Sequence, residues 1–378
     1  MREEKLEALR EKLTSSAEPI TAARIAEAVR AAGLALGSGT AAQLVKQLRD
    51  ELVGLGPLQQ FVDQPGVTDV VLDGEGRIWT DGADGLQRTG EQLDSEEQAR
   101  ALARRLISVS GGRLDEGHPC ADGRLGNCRI HAVIPPVAVE GTMISVRVAR
   151  DSSATLEQLA QQWVGPQQWL PVVRAMVTQR MNYLVSGATG SGKTSLLAAM
   201  LGEVSAQERL VVVEDTTELL PDHPHVLHLQ ARQGNVEGAG RVDIGRLVRE
   251  TLRMRPDRLI VGECRGAELR DFLTAMNTGH QGAGGTVHAN SPQAVPARLT
   301  AMGALAGLTP ETVAVQTAAA IHAVIHVERR AGRRMPVALS TVEHRDGRLA
   351  MSQVLSTRQG QVAPGPGWET GRWEELVR

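Results

Sequence analysis

The string Gly187-Ala188-Thr189-Gly190-Ser191-Gly192-Lys193-Thr194 constrains this chain more than any other feature. It matches G-x-x-x-x-G-K-[ST] in full, with a predicted strand (Asn182–Val185) running in and a predicted helix (Ser195–Leu201) running out. Glycines let a backbone approach phosphate oxygens closely and curl its N–H groups around them. The N-terminus of the following helix adds partial positive charge. Lys193 is placed to reach the β- and γ-phosphates, and Thr194 to hold Mg²⁺. Residues Gly187 to Thr194, with Ser195 next, are therefore the candidate nucleotide-binding residues, with ATP and Mg²⁺ as expected ligands. The competing reading is a chance match in a chain with 40 glycines. The flanking elements weigh against it.

From residue 171 predicted strands alternate with helices: Tyr183–Val185, Leu210–Val213, Leu259–Val261 and Thr286–His288. Such alternation predicts an α/β architecture, a parallel sheet with helices on both faces. Ligands of these sheets sit outside the carboxyl ends of the strands. Glu214, Asp215 and Glu263 fall there. Carboxylates in that position can serve a metal shell and orient or deprotonate an attacking water. Glu214 and Glu263 are thus candidate catalytic and metal-shell residues, together with the Thr194 hydroxyl on the metal. The generic Walker B pattern puts Asp directly after the apolar strand. Here that position is Gly262, so Glu263 is expected to act through water. A solvated loop carboxylate is the competing reading, which holds its ground for Asp215 and Glu218. Glu268 reads as a helix-start residue. His288 ends the fourth strand and is expected to sense the γ-phosphate by hydrogen bonding. Its competing reading is a satisfied core histidine, and His280 is balanced between the two. The glycines of Thr278–Gly285 predict a mobile loop.

Upstream, residues 1–54 read as helical. Thr40 and Gln43 form a capping-box pattern, and Leu44, Leu48 and Leu52 then recur every four residues. Val67–Leu72 reads as a strand, Asp73-Gly74 as a turn and Ile78-Trp79 as the return. Ser95 and Gln98 cap a helix with Leu102, Leu106 and Ile107 on one face. Arg129–Ile134 and Ile144–Val148 alternate apolar and polar residues, which predicts two half-buried strands with Arg129 and Arg147 pointing away from the core. The polar, Gln-rich stretch 151–170 marks a boundary. The expected organisation is a helical segment 1–54, a smaller α/β domain 55–150, a linker 151–170, the nucleotide domain 171–334, and a β-hairpin with a mobile tail 335–378. The hairpin is Val337–Val342, a turn at Asp346-Gly347, and Leu349–Val354.

Composition narrows the classes. At about 100–200 residues per domain, 378 residues suggest two or three domains. Aromatics are only 2%, so the core must be aliphatic and Ala-rich. A net charge of −3 does not suit a chain that coats nucleic acid. Cys120, Cys128 and Cys264 contain no C-x-x-C pair, which fits a reducing compartment and gives no zinc signature. The charged start MREEKLEALREKL reads as a helix, not a signal peptide. No stretch approaches the roughly 18 apolar residues of a membrane span. The longest Ala/Val/Ile run, Thr317–Val327, is broken by His322 and His326. A soluble cytoplasmic protein is expected, which leaves docking on a membrane protein open.

Four motifs in order then make the chain recognisable: GATGSGKT, VVVEDTTELL, LRMRPDRLIVGECRGAE and TGHQGAGGTVHANSP. The N-terminal half adds GPLQQFVDQPGVTDVVLDG, GRLDEGHPCADGRLGNCRIHAVIPP and TMISVRVAR. The chain resembles the secretion ATPases of the type II/type IV superfamily, and within it the Tad (Flp) pilus assembly ATPases, over roughly residues 50–330. The resemblance implies a homohexameric ring whose subunits join an N-terminal α/β domain to a RecA-like P-loop domain, with nucleotide between them. It assigns Glu214 to an Asp box, Glu263 to Walker B and His288 to a His box. Arg129 and Arg147 match family arginines that approach the phosphates, where a guanidinium stabilises charge on the transferring phosphoryl group. It further implies an inner-membrane platform protein as partner, peripheral membrane association through it, and no nucleic acid. Ser195 departs from the second Thr of many relatives. A tetracysteine zinc module and the C-terminal motif of retraction ATPases are absent, which favours a Tad-like motor. Two alternatives are a RecA-like nucleic-acid translocase or helicase, supported by the six arginines of Arg241–Arg258, and a nucleotide-binding scaffold without turnover. Single-strand binders stack bases on aromatics, and this chain has five Trp, two Phe and one Tyr.

Overall fold

The computed structural model describes Leu9, Leu13 and residues 21–32, 38–82, 85–148, 154–232, 240–369 and 373. The chain divides into two units, Met1–Asp151 and Ser152–Arg378.

In the first unit, helices Ala22–Ala31 and Ser38–Leu52 pack together, and Leu9, Leu13, Ile25, Val29 and Leu48 share one small apolar cluster. The helix with the leucine repeat begins at Ser38, so Thr40 lies inside it and is not its cap. Next come β1 (Asp69–Leu72), β2 (Arg77–Asp81), β3 (Gln87–Gln92), β4 (Cys120–Leu125), β5 (Cys128–Val133) and β6 (Met143–Val148). They form one antiparallel sheet in the order β3-β2-β1-β6-β5-β4. Helix Glu96–Val109 covers one face, and the Ser95 hydroxyl accepts the Gln98 amide at 3.3 Å as its cap. The expected alternation holds: Ile130, Ala132, Ile144 and Val146 are fully buried, while Arg129 and Arg147 stand on the other face. Those two arginines are direct partners in the β5–β6 register.

The second unit is built on a nine-stranded sheet in the order β15-β14-β13-β12-β7-β11-β10-β8-β9. Its strands are β7 (Tyr183–Gly187), β8 (Leu210–Glu214), β9 (Val226–Gln230), β10 (Arg258–Cys264), β11 (Gly284–His288), β12 (Ala323–Arg330), β13 (Arg333–Arg345), β14 (Arg348–Arg358) and β15 (Gln361–Pro364). Strands β7 to β12 run parallel, and β13 to β15 extend the sheet antiparallel from β12. Both faces of the parallel part are covered, so β7 and β8 are buried at every residue instead of alternating. Tyr183, Val185, Val212 and Ile325 join one core, and Leu184, Val213, Val261 and Val324 join the other.

Two expected boundaries differ from this arrangement. Within the expected linker 151–170, the described residues 154–170 hold helix Leu156–Ala160 and the start of Pro166–Thr178, and bury Leu156, Trp163 and Trp169. The Trp169 indole donates to Thr357 Oγ1 at 3.0 Å, which ties it to β14. The C-terminal hairpin likewise belongs to the main sheet. Its turn at Asp346-Gly347 has positive φ of 51° and 74°, and Trp373 is buried in the same core. The rest of the expected mobile tail (370–372 and 374–378) lies outside the described residues. No helix among the described residues is long and apolar enough to cross a membrane.

Candidate nucleotide site

β7 is fully buried and ends in Gly187, and helix Lys193–Gly202 starts from Gly192, so the phosphate loop bridges strand and helix as the motif requires. Gly187 leaves no room for a side chain: a β-carbon there would stand 2.4 Å from the Val327 carbonyl and 2.5 Å from Ser191 Oγ. That Ser191 hydroxyl is buried and has no hydrogen-bond partner among the described residues. Ala188, Thr189 and Gly190 are exposed and Thr194 is partly so, which leaves the loop free to wrap a ligand. The cradle and the orphaned hydroxyl suit a phosphate group.

Lys193 Nζ donates to the Ala188 carbonyl at 2.9 Å and lies 3.5 Å from His288 Nε2. His288 Nε2 in turn lies 3.0 Å from Glu263 Oε1. The ends of β10 and β11 and the helix start therefore bring together three of the expected residues: Lys193, Glu263 and His288. Burial holds the Lys193 ammonium below its ordinary range against the pull of Glu263. Burial first, then the Lys193 charge, pushes His288 down, so its imidazole stays neutral at neutral pH. A neutral ring has one donor and one acceptor nitrogen. Nε2 can donate to Glu263 or accept from Lys193, and the shorter approach is to Glu263.

Glu214 has a different place. It is only 5% exposed, and its Oε1 accepts the amides of Glu218 and Leu219 at 3.1 and 3.0 Å. The carboxylate thus holds the turn after β8. Asp215 reaches outward to Arg265, 3.8 Å away. Glu268 behaves as the start of helix Leu269–Asn277: its carboxylate accepts the Gly266 amide at 2.7 Å. His280 Nδ1 meets the Ala275 carbonyl at 3.2 Å, at the end of that helix. The glycine loop is less free than its composition suggests. Gly284 and Gly285 belong to β11, where β-carbons would stand 3.0 Å from the Tyr183 ring and 2.8 Å from the Val261 carbonyl. Two of the glycines serve close packing of strands.

Arg265 escaped the sequence reading. It donates to Glu263 Oε2 at 2.7 Å while its other arm faces Asp215, so one guanidinium bridges the acids after β10 and β8. A signal existed: a cation two residues after a strand-end acid. Three of the six arginines in the 241–258 run pair within the chain, and Arg241, Arg246 and Arg255 are exposed. Arg258 is buried in a two-bond pair with Glu208 at 2.7 and 3.1 Å, Arg249 pairs with Asp271 at 2.7 Å, and Arg253 with Glu250 at 3.1 Å.

In the first unit, Arg147 Nε donates to Asp69 Oδ1 at 3.0 Å and Arg129 lies 3.8 Å from Asp122.

Residues 51–360 match the family described as type II/IV secretion system protein. The chain belongs to that family. A putative conjugal transfer protein of Mycobacterium tuberculosis is 45% identical over 324 residues, which cover 84% of this chain and 92% of that protein. Conjugal transfer protein TrbB of Rhizobium radiobacter is 29% identical over 306 residues, covering 78% and 88%. The structure of the pilus retraction motor PilT with bound ADP shares the fold, with TM-score 0.53 and 19% identity, covering 78% of this chain and 82% of that one. This member of the secretion family is an ATPase: it carries the complete phosphate loop with acid and histidine converging on Lys193. These relatives support a secretion ATPase without singling out the Tad pilus group.

Proposed function

We propose that this ATPase works as a homohexameric motor on an inner-membrane platform protein, powering a type IV secretion apparatus or, more finely, assembly of a Tad/Flp-type pilus. The observation that carries the reading is the Lys193–His288–Glu263 cluster at the strand ends of a secretion-family chain. The conjugal transfer names of its relatives support the type IV apparatus, and the motif strings support the pilus branch.

In this reading the domain 171–334 binds ATP, with Gly187–Ser195 on the phosphates. Thr194 holds Mg²⁺, whose charge on the phosphate oxygens favours transfer. Glu263 orients the attacking water and His288 senses the γ-phosphate through a hydrogen bond. Glu214 serves the same shell by fixing the turn after β8. Arg129 and Arg147 stabilise charge on the transferring group, a role supported by their placement side by side on the polar face of β5 and β6. The chain acts in the cytoplasm, at the inner face of the membrane through its partner. A nucleic-acid translocase is the other reading, and the pairing of Arg249, Arg253 and Arg258 takes up three of the six arginines that support it.

The test is ATPase rate against protein concentration, with mass by light scattering, for wild type and Arg147→Ala. A rate per subunit that rises as hexamers form, and collapses in the variant while assembly persists, is expected. Turnover by a monomer indifferent to Arg147 would sink the ring motor. Deleting the gene in its host separates the finer readings: lost surface filaments favour the pilus, and lost DNA transfer with filaments intact favours conjugation.

A further inference from the structure

Arg334 reaches the phosphate loop from outside the motifs. It is the second residue of β13, just past the hairpin turn from β12 where Ala331 and Gly332 take φ of 47° and 79°. Its Nε donates to the Gly190 carbonyl at 3.2 Å. Its stem crosses Gly192, where a β-carbon would stand 2.9 Å from Arg334 Cδ and 3.3 Å from its Cβ. One side chain therefore spans the outside of the loop from Gly192 to Gly190.

The bond has a directional consequence. A trans peptide is planar, so the Gly190 carbonyl and the Ser191 N–H point opposite ways. The Ser191 N–H donates to the Ala188 carbonyl at 3.3 Å, the same oxygen that accepts the Lys193 ammonium at 2.9 Å. The Gly190–Ser191 peptide is thus pinned at both ends. The guanidinium holds its oxygen on one side, and its amide faces the side of Lys193. Gly190 sits at φ 72° and has no β-carbon to restrict ψ, so its side of this peptide offers little resistance to a flip. A flipped peptide would turn a carbonyl oxygen toward the phosphates where an N–H is needed.

We propose that Arg334 is a positioning residue of the nucleotide site, which sets affinity for nucleoside di- and triphosphates by keeping the Ser191 N–H turned to the phosphate side. Three other arginines flank the hairpin turn, Arg329, Arg330 and Arg333, all exposed as Arg334 is, and the adjacent Arg333 provides a control of equal charge outside the clasp.

The experiment uses the full chain with a fluorescent ADP analogue, measuring equilibrium binding and release, beside steady-state ATPase and melting without nucleotide. Arg334→Met keeps the stem over Gly192 and removes the donor. It is expected to weaken binding about tenfold, the order of one charge-assisted hydrogen bond, with faster release and kcat at saturation within about twofold. Arg334→Lys restores part of the affinity, and Arg333→Met binds as wild type does. The proposal is overturned if Arg334→Met binds as tightly as wild type. It is equally overturned if Arg333→Met loses as much, which would reveal a general positive field. A fall in kcat at unchanged affinity overturns it, as does a melting loss without nucleotide that Lys does not recover.

Discussion

The Cγ of Glu214 lies 2.5 Å from where a β-carbon on Gly262 would stand. Gly262 occupies the position at which the generic Walker B pattern has an aspartate. Here the glutamate of the neighbouring strand fills that space, so an acid at both places would collide. Gly262→Ala is therefore expected to destabilise the second unit by about 1–3 kcal/mol, the usual cost of overpacking a full core. Calorimetry would show a melting point lower by several degrees. Combining it with Glu214→Ala should recover part of the loss, because the two changes share one cavity. Strictly additive losses would refute the packing argument.

Glu263 touches His288 and Arg265, and its side chain is 22% exposed at the end of β10. Glu263→Gln is expected to cut kcat about 100-fold or more, the scale of a lost general base, while ADP affinity stays within about threefold. Steady-state rates beside equilibrium binding decide it. A variant that still turns over freely would show that Glu263 does not activate the attacking water.

Arg265 ties Glu263 to Asp215 across two strand ends. With Arg265→Ala the carboxylate loses its fixed orientation, and kcat is expected to fall about tenfold with KM little changed. The side chain is half exposed, at 55%, so melting should hardly move. Rates equal to wild type would show the bridge to be incidental.

His288 gives a pH signature. Burial and then the Lys193 charge place its folded pKa below the ordinary 6.5. Between those two values the unfolded chain binds more protons than the folded one, so stability rises with pH through that window. Read the other way, stability falls as pH drops from about 6.5 toward the folded value and then levels off. His288→Asn cannot titrate and should flatten this part of the curve. Denaturant melts between pH 7.5 and 5 for both proteins test it, and parallel curves would contradict the shift.

The strongly periodic and glycine-marked parts of the chain were legible. The phosphate loop, the alternating strands β5 and β6, and the parallel strands with acids at their ends all follow from local pattern. What escaped depends on contacts distant in sequence. Arg334 meets Gly190 across 144 residues, and Trp169 meets Thr357 across 188, so no local window shows either. The stretch around Trp163 and Trp169 reads as a linker because its glutamines face outward while its tryptophans go into the core. β9 was overlooked because, at a sheet edge, Val226–Gln230 carries only a weak apolar pattern. Glu214 reads as a site acid by position, and its two amide bonds add a structural duty that position does not show.

The longest sheet closes on one side with β15, four residues ending in Pro364. An open edge is a template on which another chain can lay down a strand. A short last strand whose final residue has no N–H offers few donors for such growth. In the proposed ring, copies standing side by side are thereby kept from zipping their broadest β surfaces together, and self-association is left to side chains, which can let go.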